Sequence, residues 1–131
     1  MSEFTSNELE YLTEREPGRL ARIATVGKDG TPHVVPVGWR FNRELDTIDI
    51  GGMNLPATKK FRDVARGGRA AVVIDDLVST DPWQPRGIEV RGRAEAIEGD
   101  RSLIRIHPTR IISWGLDSSD DFTRRHWRAV A

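Results

Sequence analysis

Between Gly87 and Glu98 the chain alternates in chemistry without a slip. Ile88, Val90, Gly92, Ala94 and Ala96 fall on one side, and Glu89, Arg91, Arg93 and Glu95 on the other. A period of two marks a strand with one face toward a core and the other toward water. Other runs also read as strands. Arg19–Val26 carries Leu20, Ile23 and Val26 with small Ala21 and Ala24 between them, a pattern that suits a strand buried on both sides. Gly27-Lys28-Asp29-Gly30 is a hairpin turn. The return run His33–Phe41 puts Val35, Val37, Trp39 and Phe41 on one face. Thr47–Gly51 and Arg69–Asp75 follow, the latter apolar from Ala70 to Ile74 as in a central strand. Leu103–Ile106 is the sixth strand, bent at His107-Pro108-Thr109 and extended again from Arg110 to Trp114. Asp76–Arg86 reads as a loop. Six strands, short turns and one inserted helix predict a mainly β fold, an antiparallel barrel. Its edge strands need cover, and the strand rich in Ala and Gly points to a second copy of the chain as that cover.

Two helices are legible. Thr5 and Glu8 form a capping box for a helix from Ser6 to about Thr13, which Pro17-Gly18 breaks. A second runs from about Ala57 to Arg66, with Gly67-Gly68 as its C-cap. A length of 131 residues fits one domain. We divide it into a lead-in over residues 1–17, a barrel over 18–115 and a polar tail over 116–131, a frayed helix or free chain from Asp120 onward. Lys+Arg and Asp+Glu are balanced at 20 each, so no overall field draws the chain to nucleic acid or to a membrane surface. There is no cysteine, no basic start followed by an apolar run, and no apolar window near the ~20 residues that span a bilayer. The expected location is the cytoplasm.

Three stretches sit badly in a simple barrel. Thr58, Lys59, Lys60 and Arg62 crowd the start of the second helix, where backbone N–H groups and the helix dipole already present positive charge. An anion such as a phosphate would resolve that conflict; a solvated basic face is the plainer alternative. Pro36 cannot donate to a ladder, and Gly38 lets another group approach the backbone, so this strand is an edge, with or without a ligand. Trp83, in Asp81-Pro82-Trp83-Gln84-Pro85-Arg86, needs a ligand or a partner chain to cover it. Residues for protein-borne chemistry are missing from the sequence pattern. His33, His107 and His126 lack metal-ligand spacing, no serine sits in a nucleophile elbow, and the glycines form no phosphate-binding fingerprint. We therefore assign no catalytic side chain and no metal. If the chain is an enzyme, a cofactor carries the chemistry.

The ordered set of motifs resembles a known family. Gly18-Arg19-Leu20-Ala21, Gly30-Thr31-Pro32-His33-Val34-Val35-Pro36-Val37, Asp46-Thr47-Ile48-Asp49-Ile50-Gly51-Gly52 and Ala57-Thr58-Lys59-Lys60-Phe61-Arg62-Asp63-Val64 come first. Asp81-Pro82-Trp83, the run Pro85 to Glu95, and the run Ile104 to Gly115 complete it. Together they resemble the pyridoxamine-phosphate-oxidase-like, FMN-binding split barrels, and within them the small branch of deazaflavin (coenzyme F-420)-dependent oxidoreductases. The resemblance implies a split-barrel homodimer with cofactor sites at the interface. It implies that the cofactor ring lies along Val35, Pro36 and Val37 near Gly51, and that the phosphate meets Lys60 with Thr58 and Lys59 beside it. It implies that Trp83, Pro85, Arg86 and Trp114 come from the opposite subunit.

The implied activity is hydride transfer between bound F-420 and a small unsaturated organic substrate. The same pocket with FMN, or a cofactor carrier without turnover, are the other readings. The chain departs from the family pattern in three places. It lacks the C-terminal substrate segment of a true pyridoxamine-phosphate oxidase, so vitamin B6 oxidation is not carried over. Thr58-Lys59 stands where the phosphate clamp often has an Arg before its Lys. The segment between Glu98 and Leu103 is short for this branch.

Overall fold

The fold comes from a computed structural model, which describes residues 2–16, 18–117 and 125–130. Two helices and eight strands are present among them: α1 (Ser6–Arg15), β1 (Ala21–Val26), β2 (Pro32–Val37), β3 (Trp39–Asn42), β4 (Thr47–Ile50), α2 (Lys59–Gly67), β5 (Arg69–Thr80), β6 (Trp83–Ile97), β7 (Leu103–Trp114) and β8 (Arg125–Ala129). The strands make one antiparallel sheet in the order β2-β1-β5-β6-β7-β4-β3, with β8 also on β7. Its end strands, β2 and β3, are consecutive in the chain and separated only by Gly38. A sheet whose two ends are one residue apart has to curl back on itself. The edge of β7 then serves two partners: Ile104–Ile106 pair with β4, and Arg110–Trp114 pair with β8.

The expected six strands become eight for two local reasons. The return run breaks at Gly38, so its two halves pair with different neighbours, β1 and β4. Residues 125–129, inside the stretch read as tail, add a strand to β7. The rest of the expected frayed helix, residues 120–124 and 131, lies outside the described residues, as does Pro17. Asp76–Arg86 is likewise no open loop: β5 and β6 continue their pairing through Asp76↔Arg86 and Leu77↔Pro85 to Thr80↔Trp83. β1 is buried on one side only, with Ala21, Ile23 and Thr25 inside and Arg22 and Val26 outside. The strict alternation of β6 holds, with Ile88, Val90 and Ala94 inside and Arg91, Arg93 and Glu95 outside.

Inward residues of every layer fill the curl. Ile48, Ile50, Ile88, Val90, Ile104, Ile106 and Ile111 are fully buried. β-branched side chains dominate because they pack well on a pleated surface. The bend at His107–Thr109 is a bulge: Arg91 pairs with Arg110 but Gly92 with Pro108, leaving Thr109 extra. A Cβ on Gly92 would lie 1.8 Å from the His107 carbonyl oxygen, so only glycine fits there.

α1 begins with the expected capping box, Thr5 accepting from the Glu8 N–H at 3.3 Å and Glu8 from the Thr5 N–H at 2.9 Å. It buries Tyr11 and Leu12. α2 opens at Lys59, after a single 3-10 turn over Leu55–Ala57, and ends at Gly68 with φ +69°. It buries Phe61 and Val64 and touches β1 and β6. No helix among the described residues is long and apolar enough to cross a membrane.

Candidate cofactor site

β2 is an end strand, paired on one side with β1 through Ala21↔Val37, Arg22↔Pro36 and Ile23↔Val35. Among the described residues its other backbone edge has no strand beside it. Pro36 is therefore tolerated where its missing N–H is not needed. Val35 and Pro36 are exposed and Val37 is buried, so the stretch expected to carry the cofactor ring is an open ledge with an apolar root. Gly38 and Gly51 border one cavity of about 370 Å3 beside it.

At the start of α2, Thr58 is the N-cap. Its hydroxyl accepts from the Phe61 N–H at 3.3 Å and donates to the Leu55 carbonyl at 2.6 Å. That hydroxyl is occupied in holding the helix start. Lys59 is exposed and Lys60 half-buried, and neither is hydrogen-bonded or ion-paired among the described residues. The first turn holds no acidic residue to offset them. Two cations at a helix N-terminus, of which Lys59 also feels the charges of Asp29 and Asp63, match a phosphate's charge and hydrogen-bonding needs. On that donor set, the residues present fit the phosphate of a flavin-like cofactor.

The structure adds a group that the sequence did not reveal. Asp63, one turn into the basic helix, is buried. One of its oxygens takes the Thr25 hydroxyl at 2.9 Å and lies 3.2 Å from His33 Nδ1, while the other takes Arg66 at 3.1 Å. Arg66 also donates to the Val26 carbonyl at 2.9 Å. Burial pushes the Asp63 carboxyl up, but the hydrogen bonds from Thr25, Arg66 and His33 outweigh it and hold the group below its ordinary value. Asp63 thus fixes the His33 ring on β2 next to Lys59. His33, Lys28, Asp29, Thr31 and Lys59 line an open hollow of about 640 Å3. Arg66 lies three positions on, but Thr25 and His33 lie 38 and 30 positions away in sequence, and local spacing carries no trace of those two contacts.

The remaining expected residues gather elsewhere. Trp83 sits at the β5–β6 hairpin tip and is 66% exposed. Pro85 and Arg86 pack beneath Gly115, whose Cβ position would lie 2.3 Å from the Pro85 carbonyl oxygen. Trp114 packs against Gly87 and under the Arg125 guanidinium, 5.0 Å from its ring centre. Arg86 is engaged inside its own chain. It binds Asp76 at 2.9 and 3.1 Å and Glu14 at 3.1 Å, and it stacks on the Tyr11 ring at 5.1 Å. Tyr11 donates to the same Asp76 carboxylate at 2.8 Å. Within one chain the candidates thus form two groups: the β2 ledge with the α2 start, and the hairpin tip with Trp114. No hydrogen bond, ion pair or ring contact joins the two among the described residues.

Residues 10–129 match the family model of pyridoxamine 5'-phosphate oxidase. The chain belongs to this family. Membership places it among cofactor-dependent oxidoreductases and bears out the resemblance to the pyridoxamine-phosphate-oxidase-like family read from its motifs. A 5a,11a-dehydrotetracycline/5a,11a-dehydrooxytetracycline reductase from Streptomyces rimosus is 41% identical over 123 residues, covering 87% of this chain and 84% of that protein. Among solved structures, the conserved hypothetical protein Rv2991 from Mycobacterium tuberculosis superposes with a TM-score of 0.69 at 19% identity, covering 88% of each chain. The FAD binding protein from Mycobacterium smegmatis gives 0.60 at 22% identity, covering 84% of this chain and 93% of that one. Both establish the split-barrel-like fold.

Proposed function

We propose that the protein is a deazaflavin (F-420)-dependent reductase acting on a small unsaturated organic molecule. The observation that carries this reading is the pairing of an open β2 ledge with two unpaired lysines at the start of α2. The 41% identity to a reductase supports the reaction class. When bound, the cofactor supplies the hydride. The chain's own residues do the binding and orienting. Lys60 and Lys59 take the phosphate, the backbone of Val35–Val37 orients the ring, and the buried root at Val37 keeps water from one ring face. No side chain here is assigned a proton-transfer role.

In this reading a second copy completes the site. Residues of β1, β5 and β6, among them Ala24, Val26, Ala71, Arg69, Arg91 and Arg93, line an apolar hollow of about 470 Å3. A homodimer joined across this face would bring the Trp83–Arg86 and Trp114 group toward the ledge of its partner. Light scattering on the purified protein should return twice the chain mass; a monomer at working concentration would remove the two-subunit site.

Fluorescence titration with F-420 and with FMN, side by side, tests the cofactor. F-420 should bind the more tightly. Lys60→Ala should cost about 1.5–3 kcal/mol of that binding, a ten- to hundredfold loss. Unchanged affinity would show that Lys60 does not meet the phosphate, and preference for FMN would turn the reading into a flavin oxidoreductase using the same ledge.

A further inference from the structure

The two walls assigned to the cofactor belong to different elements, and little joins them directly. The ledge is on β2, and the lysines open α2. β2 is held in the sheet on one side, by β1, and two of its six residues are prolines. α2 is fastened to β1, where Arg66 donates to the Val26 carbonyl at 2.9 Å and the Thr25 hydroxyl donates to Asp63 at 2.9 Å. Between β2 and α2 themselves, one hydrogen bond is present among the described residues: His33 donates from Nδ1 to Asp63, at 3.2 Å.

That bond sits where the two walls approach. Register sets His33, Val35 and Val37 opposite Thr25, Ile23 and Ala21, the buried residues of β1, so all three share the inward side of β2. His33 stands two residues, about 7 Å, before Val35. On the helix, Asp63 follows Lys60 by three positions and Lys59 by four, within one turn of both. The bond therefore runs from the strand beside the ring position to the helix beside the phosphate position. Its geometry leaves little play. Asp63 is 3% exposed, and Thr25 and Arg66 hold its carboxylate from other directions. A carboxylate only accepts, so Nδ1 of His33 carries the proton. The ring also lies against the hairpin turn, where a Cβ on Gly27 would come within 2.6 Å of His33 Cε1.

We propose that Asp63 and His33 are positioning residues for the cofactor, and that their bond sets the spacing between the ring ledge of β2 and the lysines of α2. The inference rests on the cofactor reading given above. A ligand that touches both walls binds at two points, and its affinity depends on how closely the walls are held at the span it needs. A ligand that reaches one wall gains nothing from the bond. Neither residue has to touch the cofactor for this.

The test compares F-420 with the same deazaflavin stripped of its phosphate, by fluorescence titration of the full-length protein. Asp63 stays in place, because its charge also acts on Lys59. His33→Leu removes the bond. It should weaken F-420 binding about tenfold and leave the phosphate-free deazaflavin within about twofold of the parent. His33→Asn presents an amide N–H near the former Nδ1 and nothing at the former Nε2. It should recover most of the lost affinity, which separates the bond to Asp63 from a direct contact between His33 and the phosphate. The His33 side chain is 30% exposed, so both variants should keep the fold, which amide spectra check. Equal losses for the two ligands would mean that the ledge itself is disturbed, and would overturn the proposal. So would unchanged F-420 binding in His33→Leu, or no recovery in His33→Asn. A parent that binds F-420 but not the phosphate-free deazaflavin would overturn it too, since the ledge would then contribute nothing for the bond to couple. A parent that binds neither ligand would overturn the cofactor reading, and the positioning role with it.

Discussion

Asp63 shows how one carboxylate organises a surface it does not reach. It is buried, holds three partners from three elements, and aims His33 and Arg66 in different directions. Because its folded-state pKa is depressed, its contribution to stability is fully present above the ordinary Asp value and is lost as pH falls through the lower folded value. The protein should therefore lose stability below about pH 4. Asp63→Asn should lower stability at neutral pH by about 2–3 kcal/mol and flatten that part of the acid limb. Urea midpoints of both proteins from neutral to acid pH measure it; parallel curves would show that Asp63 is not the titrating group. Thr58 gives a contrasting lesson. It was grouped with the lysines as a ligand, yet its hydroxyl is committed to the Leu55 carbonyl and the Phe61 N–H. Residue type and position predicted a polar role there, and only the contacts say which.

At the scale of elements, the β6–β7 hairpin carries the most demanding geometry. Gly92 sits against the bulge at His107–Thr109, and any Cβ there collides with backbone rather than with a movable side chain. Gly92→Val should cost about 3 kcal/mol, read as a lowered melting midpoint. An unchanged midpoint would mean that the bulge relaxes freely. The basic start of α2 was legible from Lys59 and Lys60 because like charge at a helix N-terminus is a local conflict. The strand character of Trp83–Arg86 was not. Asp81-Pro82 and Pro85 read as loop chemistry, but the ladder partners Leu77, Ser79 and Thr80 extend β5 to meet them.

Across the whole molecule, the two ends of the chain are tied together. Arg128 of β8 donates to buried Glu8 of α1 at 2.6 and 3.1 Å. Burial pushes the Glu8 carboxyl up, but the bonds from Arg128, the Thr5 N–H and Ser113 hold it below its ordinary value. Arg128→Ala leaves a buried carboxylate without its cation and should destabilise the fold by about 2–3 kcal/mol. Cleavage by a protease within residues 125–130 should also quicken. A variant that melts and resists protease like the parent would show that β8 adds nothing to the fold. The polar composition of residues 116–131 read as tail because β8 borrows its order from β7 and α1 and buries little of its own.

The sequence by itself determined the class and much of the layout: the strand faces of β6, the capping box of α1, the glycine end of α2, and the family. Each of these depends on neighbours within a few positions, where periodicity and capping chemistry act. The tertiary structure decided what distance in sequence conceals. It joined Asp63 to His33, spent Arg86 on Asp76 and Glu14, and brought β2 and β3 to opposite ends of one curled sheet. Those outcomes turn on which of several eligible partners lies closest in space, and short-range pattern carries no information about that competition.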